Sequence, residues 1–177
     1  RKKCPLSQEQ RQIWFTSQTG LLPMPLSEKA LLRMIGNLNL QALQKVVHLL
    51  VERHELLRAK IDASGEELEI FPRKELNIPV LDFTGNDKTD QIAEWMDRES
   101  KRDFDLANDF LFRISVAKES EHSHLILAVF HRIIADGWSI ALLLDEMSEL
   151  YNAECQDRRP SLPEAVQFDV YLDHRMK

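Results

Sequence analysis

Two hydrophobic rhythms alternate along the chain. Leu40, Leu43, Val46, Val47, Leu50 and Val51 recur at helical spacing, with Asn39 placed ahead of them as an N-cap. Earlier, "LSQEQRQIWF" reads as a helix start in which Ser7 caps and Gln10 reaches back, the capping-box pattern. Asp90 to Arg102 carries Ile92, Trp95 and Met96 on one helical side, and "SIALLLDEMSELYNA" turns Leu142, Leu143, Met147, Leu150 and Tyr151 inward. Between these helices lie strand patterns: "KALLRMIG", ending at Gly36; a segment from Leu57 to Asp62; "ELEIF" after a Ser64-Gly65 hairpin turn; "IPVLDF"; and the pair "FLFRISVAK" and "HLILAVFHR" joined by the polar turn "ESEHS". "HLILAVFHR" is apolar on both alternating faces, so it is a central strand covered twice. The Pro-containing stretch Leu21 to Leu26 reads as a loop. Helices and strands intermix with hairpins among them, which predicts an α/β sandwich with a mixed β-sheet covered by helices.

Composition narrows the partners more than the fold. The 177 residues, 44% hydrophobic and 29% charged, suffice for one domain or one lobe of a larger one. A net charge of −6 without a basic block lacks the footprint that nucleic acid requires. The longest aliphatic or aromatic run, Leu125 to Phe130, is far too short to cross a bilayer, and no apolar signal segment follows the N-terminal Arg-Lys-Lys. Cys4 and Cys155 suggest no disulfide framework, so a cytoplasmic, reducing setting is expected. Five unclustered glycines exclude a P-loop or a GxGxxG cradle. His122 and His124 fall in a polar turn and His131 ends a strand, a pattern that fits solvated turn histidines better than a metal site. The segment after Asp157, "RRPSLPE", reads as a linker, and 157–177 as an exit segment leading elsewhere.

The stretch that concentrates candidate chemistry is "HRIIADGWS", His131 to Ser139. Its plain structural reading is a turn, Asp136-Gly137, with Asp136 or Ser139 capping the next helix. Two charged residues, Arg132 and Asp136, nevertheless lie where a buried strand ends, the edge at which α/β proteins place their chemistry, and charges there need partners.

Four segments in order resemble nonribosomal peptide synthetase condensation domains. "LSQEQRQIW" resembles their opening motif, "RHELLRAKI" is similar to the second motif R-H-E-x-L-R-T-x-F, "FDLANDFLFR" to the F-D-L…P-L-L-R segment, and "HRIIADGWS" to the third motif H-H-x-x-x-D-G-W-S. Chloramphenicol acetyltransferase shares the third motif, so the resemblance implies a chloramphenicol acetyltransferase-like sandwich. The family domain has two lobes with a tunnel between them. The resemblance therefore implies that 1–177 is the N-terminal lobe, with the C-terminal lobe absent. It implies donor and acceptor carrier proteins as partners, whose phosphopantetheine arms deliver substrates, and no bound cofactor; the charge, hydropathy and histidine patterns above add that no nucleic acid, membrane or metal is expected.

The implied reaction is attack of an acceptor amine on a donor thioester, forming an amide. In the family the second His of the pair serves this step, as base or by positioning and stabilising the intermediate. Here the first His is kept as His131 and Arg132 stands in the second place. A guanidinium has no acceptor lone pair and stays charged, so it cannot take a proton; it can donate to an oxyanion or pair with Asp136. The resemblance makes Asp136 structural, ion-paired with Arg58. It also makes His54 and Glu55 supports behind the site; His131 reads as a locally hydrogen-bonded ring, Trp138 as a packing residue and Ser139 as a helix cap. Gly137 lets the main chain approach a substrate, and its amide suits an oxyanion site. Weakened condensation competes with a non-catalytic module: condensation-like domains of glycopeptide assembly lines carry His-Arg here and recruit oxygenases, although they usually lose the glycine that this chain retains as Gly137. Heterocyclisation relatives need an Asp where His131 stands, and epimerisation relatives keep both histidines.

Overall fold

The computed structural model describes residues 1–20, 25–72, 76–85 and 87–168. Residues 21–24 of the Pro-containing loop and 169–177 of the exit segment therefore lie outside the described residues. In chain order the elements are β1 (Lys2–Pro5), α1 (Gln8–Thr19), β2 (Ser27–Ile35), α2 (Leu40–Arg53), a 3-10 turn (Glu55–Arg58), β3 (Ala59–Ile61), β4 (Glu67–Ile70), β5 (Val80–Asp82), α3 (Thr89–Lys101), β6 (Phe112–Ser120), β7 (Ser123–His131) and α4 (Gly137–Cys155).

They build two sheets. The larger is mixed, ordered β2-β7-β6-β5, with β7 antiparallel to both neighbours and β5 parallel to β6. The smaller, β1-β4-β3, is antiparallel. As its pattern predicts, β7 is central and covered on both faces. Ile126, Ala128 and Phe130 join the core beneath α2 and α4, while Leu125, Leu127 and Val129 pack against Trp95 of α3. Strand alternation is what sends successive residues of one strand into two cores.

Local chemistry sets the element ends. Ser7 and Gln10 form the expected capping box on α1, and Asn39 caps α2 by accepting from Ala42 N–H. The Asp62–Gly65 turn puts Gly65 at φ +71° under the Trp14 ring, where a Cβ would sit 2.3 Å from ring atoms. Asp62 accepts main-chain N–H groups of Glu66 and Glu67, and its hydrogen bond from Ser64, with these, holds its carboxyl below the usual range.

Several expectations need correction. β1 carries no alternation strong enough to announce it and exists because β4 offers it an edge. β3 starts at Ala59, because the chain first makes a 3-10 turn through Leu57. On α4 the inward stripe is Ile140, Leu143, Met147, Leu150 and Ala153. Leu142 faces outward, and Tyr151 is half-buried with its hydroxyl accepting from Asn39 N–H at 2.9 Å. Leu40 is exposed in the first turn of α2. His124 is a buried strand residue, not a solvated one, because the turn is tighter than the sequence suggests; His122 does sit exposed, against Asn37.

Candidate functional site

At the end of β7, main-chain pairing continues one residue past the strand. His131 N–H donates to Leu111 O and Arg132 N–H to Leu26 O, both at 2.8 Å. Adjacent residues donate to opposite neighbours, and the pleat sends their side chains to opposite faces of the sheet. His131 therefore falls on the α3 side, edge-on to Phe104 with ring centroids 5.9 Å apart. Arg132 falls on the other side. The two side chains are sequence neighbours that do not share a face.

His131 is buried and neutral. Its Nδ1 accepts from Ile133 N–H at 3.1 Å, so the ring proton resides on Nε2, and burial pushes its pKa down to about 4. Arg132 keeps about a third of its side chain exposed and pairs with Glu28, diagonally across on β2, with Nε 3.6 Å from Oε1. Glu28 was not legible in the sequence: it precedes the apolar alternation, and its nearness to Arg132 depends on strand register. Clefts of about 510 Å³ at the β5 edge and about 570 Å³ along α2 are both lined without Arg132.

The loop after Arg132 is anchored from below. Ile133, Ile134 and Ala135 are buried, and Gln10 Nε2 donates to Ile133 O at 2.9 Å in a buried contact. The same Gln10 closes the capping box through its Oε1, so one side chain ties the start of α1 to the loop. The sequence shows the capping role and gives no signal for the second.

Asp136, not Ser139, is the N-cap of α4. Its Oδ1 accepts from Ser139 N–H at 2.8 Å and from the Ser139 hydroxyl at 2.7 Å, and these bonds hold its carboxyl below the usual range. The pairs expected of it are not formed. Arg58 lies behind α2, donating to Val51 O at 3.2 Å and to Phe71 O, because the 3-10 turn aims its guanidinium at those carbonyls. Arg132 is held by Glu28 instead. Gly137 opens α4, and open space surrounds the position a Cβ would take. Trp138 is a further correction: it is 76% exposed and packs against no core, since the inward stripe of α4 begins at Ile140.

The second motif forms the corner between α2 and β3. His54 Nε2 lies 2.6 Å from Glu146 Oε2 of α4, and Arg53 Nε donates to the same oxygen at 2.9 Å. Burial opposes ionisation of Glu146, but the hydrogen bonds from His54 and Arg53 outweigh it and hold the carboxyl below its ordinary value. Glu55 is buried and accepts from Lys2 Nζ at 3.0 Å and from Phe168 N–H at 2.9 Å. These contacts fasten α2 to α4, to β1 and to the segment following α4. Cys4, which is buried, and Cys155, which is exposed, form no disulfide among the described residues. Among the described residues no cluster of His, Cys, Asp or Glu could hold a metal, and no helix is long and apolar enough to cross a membrane.

Comparison with known proteins follows the same residues. The family model described as "Condensation domain" matches residues 1–177. Malpinin synthetase of Mortierella alpina is 33% identical over 177 residues, covering 98% of this chain and 2% of that synthetase. Chondramide synthase of Chondromyces crocatus is 32% identical over 165 residues, covering 90% and 4%. Among solved structures, the starter condensation domain of rhizomide synthetase superposes with a TM-score of 0.88 at 19% identity, over 99% of this chain and 45% of that one. The complex of the X-domain and OxyB from teicoplanin biosynthesis gives 0.83 at 23%, over 100% and 40%. The chain thus spans less than half the length of these structures and a few per cent of the synthetases. The fold is the chloramphenicol acetyltransferase-like α/β lobe shared with those domains.

Proposed function

The chain belongs to the condensation-domain family, and on that premise we propose that it is the N-terminal lobe of a condensation domain of a nonribosomal peptide synthetase, acting in the cytoplasm with catalysis weakened at Arg132. The reaction joins two carrier-bound substrates. The acceptor amine attacks the donor thioester carbon, the C–N bond forms, the C–S bond breaks, and the sulfur leaves on the donor's phosphopantetheine arm as the amine loses a proton. Donor and acceptor carrier proteins and a C-terminal lobe complete the site.

The observation that carries this reading is the exit of β7, with Arg132 partly exposed and a helix capped by Asp136 starting at Gly137, five residues on. A guanidinium takes no proton, and Glu28 beside it draws part of its charge away from any oxyanion. What remains is orientation by the loop and donation from the α4 start at Gly137. Losing a true base costs about 10²- to 10⁴-fold in rate.

The test is Arg132→His in the full-length synthetase, with condensation followed from loaded carriers. A gain of about 10²-fold or more supports a weakened catalyst. Robust turnover by the unaltered protein with no gain in the variant shows instead that Arg132 is no handicap. A second reading, a non-catalytic module that recruits a carrier or tailoring enzyme, rests on Trp138 and Leu142, exposed 76% and 51% and one turn apart on α4. It is supported if neither form turns over and Trp138→Ser releases a bound partner.

A further inference from the structure

The inward stripe of β2 ends in a charge. Ala30 and Leu32 pack against the core beneath α2 and α4, and Glu28 takes the next position of that face, opposite Phe130 of β7. Arg132 follows Phe130 on the same face of β7, so the two charges meet diagonally just past the last apolar layer. Both side chains stay partly exposed, 41% for Glu28 and 34% for Arg132.

Their contact is an ion pair without a hydrogen bond. Arg132 Nε and Glu28 Oε1 are 3.6 Å apart, beyond hydrogen-bonding reach. Among the described residues neither side chain has another polar partner. The carboxylates of the family motifs and their supports are spent by comparison: Asp136, Glu146 and Glu55 each accept two or more hydrogen bonds. Glu28 thus keeps its oxygen lone pairs, and Arg132 its N–H donors, for something that is not part of the lobe's own packing.

We propose that Glu28 is a catalytic residue of this chain, the group that receives the acceptor amine and its proton and so supplies the lone pair that Arg132 lacks. This rests on the reading of the β7 exit as the edge where the two substrates meet. An amine N–H needs an acceptor there, and a guanidinium offers none. A carboxylate alone would hold the amine as unreactive ammonium, but the guanidinium 3.6 Å away offsets its charge. The pair therefore presents an acceptor and a row of donors side by side with no net charge. As the C–N bond forms, one amine proton passes to a Glu28 oxygen while the charge growing on the thioester oxygen faces the Arg132 donors. When the C–S bond breaks, that proton moves on to the departing thiolate, which leaves as the thiol. Carboxylates are weaker bases than imidazoles, which accords with catalysis weakened at Arg132. An inward charge at the end of an edge strand can also serve only to guard the sheet against pairing. That role asks nothing of an amine, and the experiment separates the two.

The test uses the full-length protein and two readouts. Condensation is followed from loaded carriers. Binding is followed for the alanyl amide of aminopantetheine, an acceptor mimic with nitrogen in place of sulfur, and for its N-acetyl derivative. Glu28→Gln should lower the rate by about 10²-fold, and Glu28→Asp, which keeps a carboxylate, should restore most of it. Glu28→Gln should also weaken the free-amine probe by about ten-fold, the worth of one hydrogen bond to a charged group, and leave the acetylated probe unchanged. The unfolding midpoint should not move, because the side chain is partly exposed. An unchanged or faster rate in Glu28→Gln overturns the proposal and leaves Glu28 as a screen on the guanidinium or a guard of the edge. If the unaltered protein does not turn over, binding decides. Loss of free-amine binding in Glu28→Gln then upholds Glu28 as the acceptor of the amine while the condensation reading fails, and equal binding overturns the proposal.

Discussion

The corner between α2 and β3 and the exit of β7 each hold charged residues of a family motif, and they treat them in opposite ways. At the corner, Arg53, His54, Glu55 and Arg58 are all committed: two to Glu146, one to Lys2 and Phe168 N–H, one to main-chain carbonyls. At the exit, His131 is buried dry, Arg132 rests on a partly exposed diagonal pair, and Trp138 stands in water. Charges that hold a fold are desolvated and fully paired, whereas groups meant to meet something else are left with capacity to spare. The corner is finished structure and the exit is a surface.

The contrast can be broken most forcefully at Glu55. Glu55→Ala removes a buried carboxylate that serves both Lys2 and the Phe168 N–H, and it should lower unfolding stability by about 3 kcal/mol in denaturant titrations. A loss below about 1 kcal/mol would erase the distinction drawn between the two regions.

The next effect is acid sensitivity at His131. Its folded pKa, about 4, lies below the ordinary imidazole value of about 6.5, so the unfolded chain binds the proton more readily. The stabilisation is therefore complete above about pH 6.5 and is lost as pH falls toward 4. Between pH 7.5 and 5 the loss should approach about 2 kcal/mol. His131→Asn should flatten that part of the stability profile relative to the parent chain.

The smallest effect belongs to Arg132. Arg132→Met breaks only a partly exposed pair with Glu28, and it should change stability by no more than about 0.5 kcal/mol in the same titrations. A large loss would place Arg132 with the corner residues and remove the ground for treating the exit as a working surface.

Much of this architecture is legible from periodicity. The capping box at Ser7–Gln10, the Asn39 cap, the stripe of α2 and the doubly covered β7 follow from local pattern, because those elements are decided by groups within a turn of each other. β1 escaped, since Lys2–Pro5 is a strand only by virtue of β4. Leu142 was misplaced because four leucines or isoleucines in Ile140–Leu144 fit more than one helical stripe, and only packing chooses between them. At the candidate site, sequence identified His131, Arg132, Asp136 and the helix that follows. It failed wherever contacts are long-range. The diagonal from Arg132 to Glu28 needs strand register, the bridge from Gln10 to Ile133 spans 123 positions, and Arg58 could be aimed at Asp136 only while the 3-10 turn was unknown.

That bridge has a bearing on how condensation domains can be recombined. Residues at the start of α1 and residues beyond the end of β7 touch through one amide side chain, so the two stretches behave as a single inherited block despite their distance along the gene. A chimera whose junction falls between them pairs a loop from one parent with a support from another, whereas a junction that leaves both on the same side keeps the β7 exit and its support together.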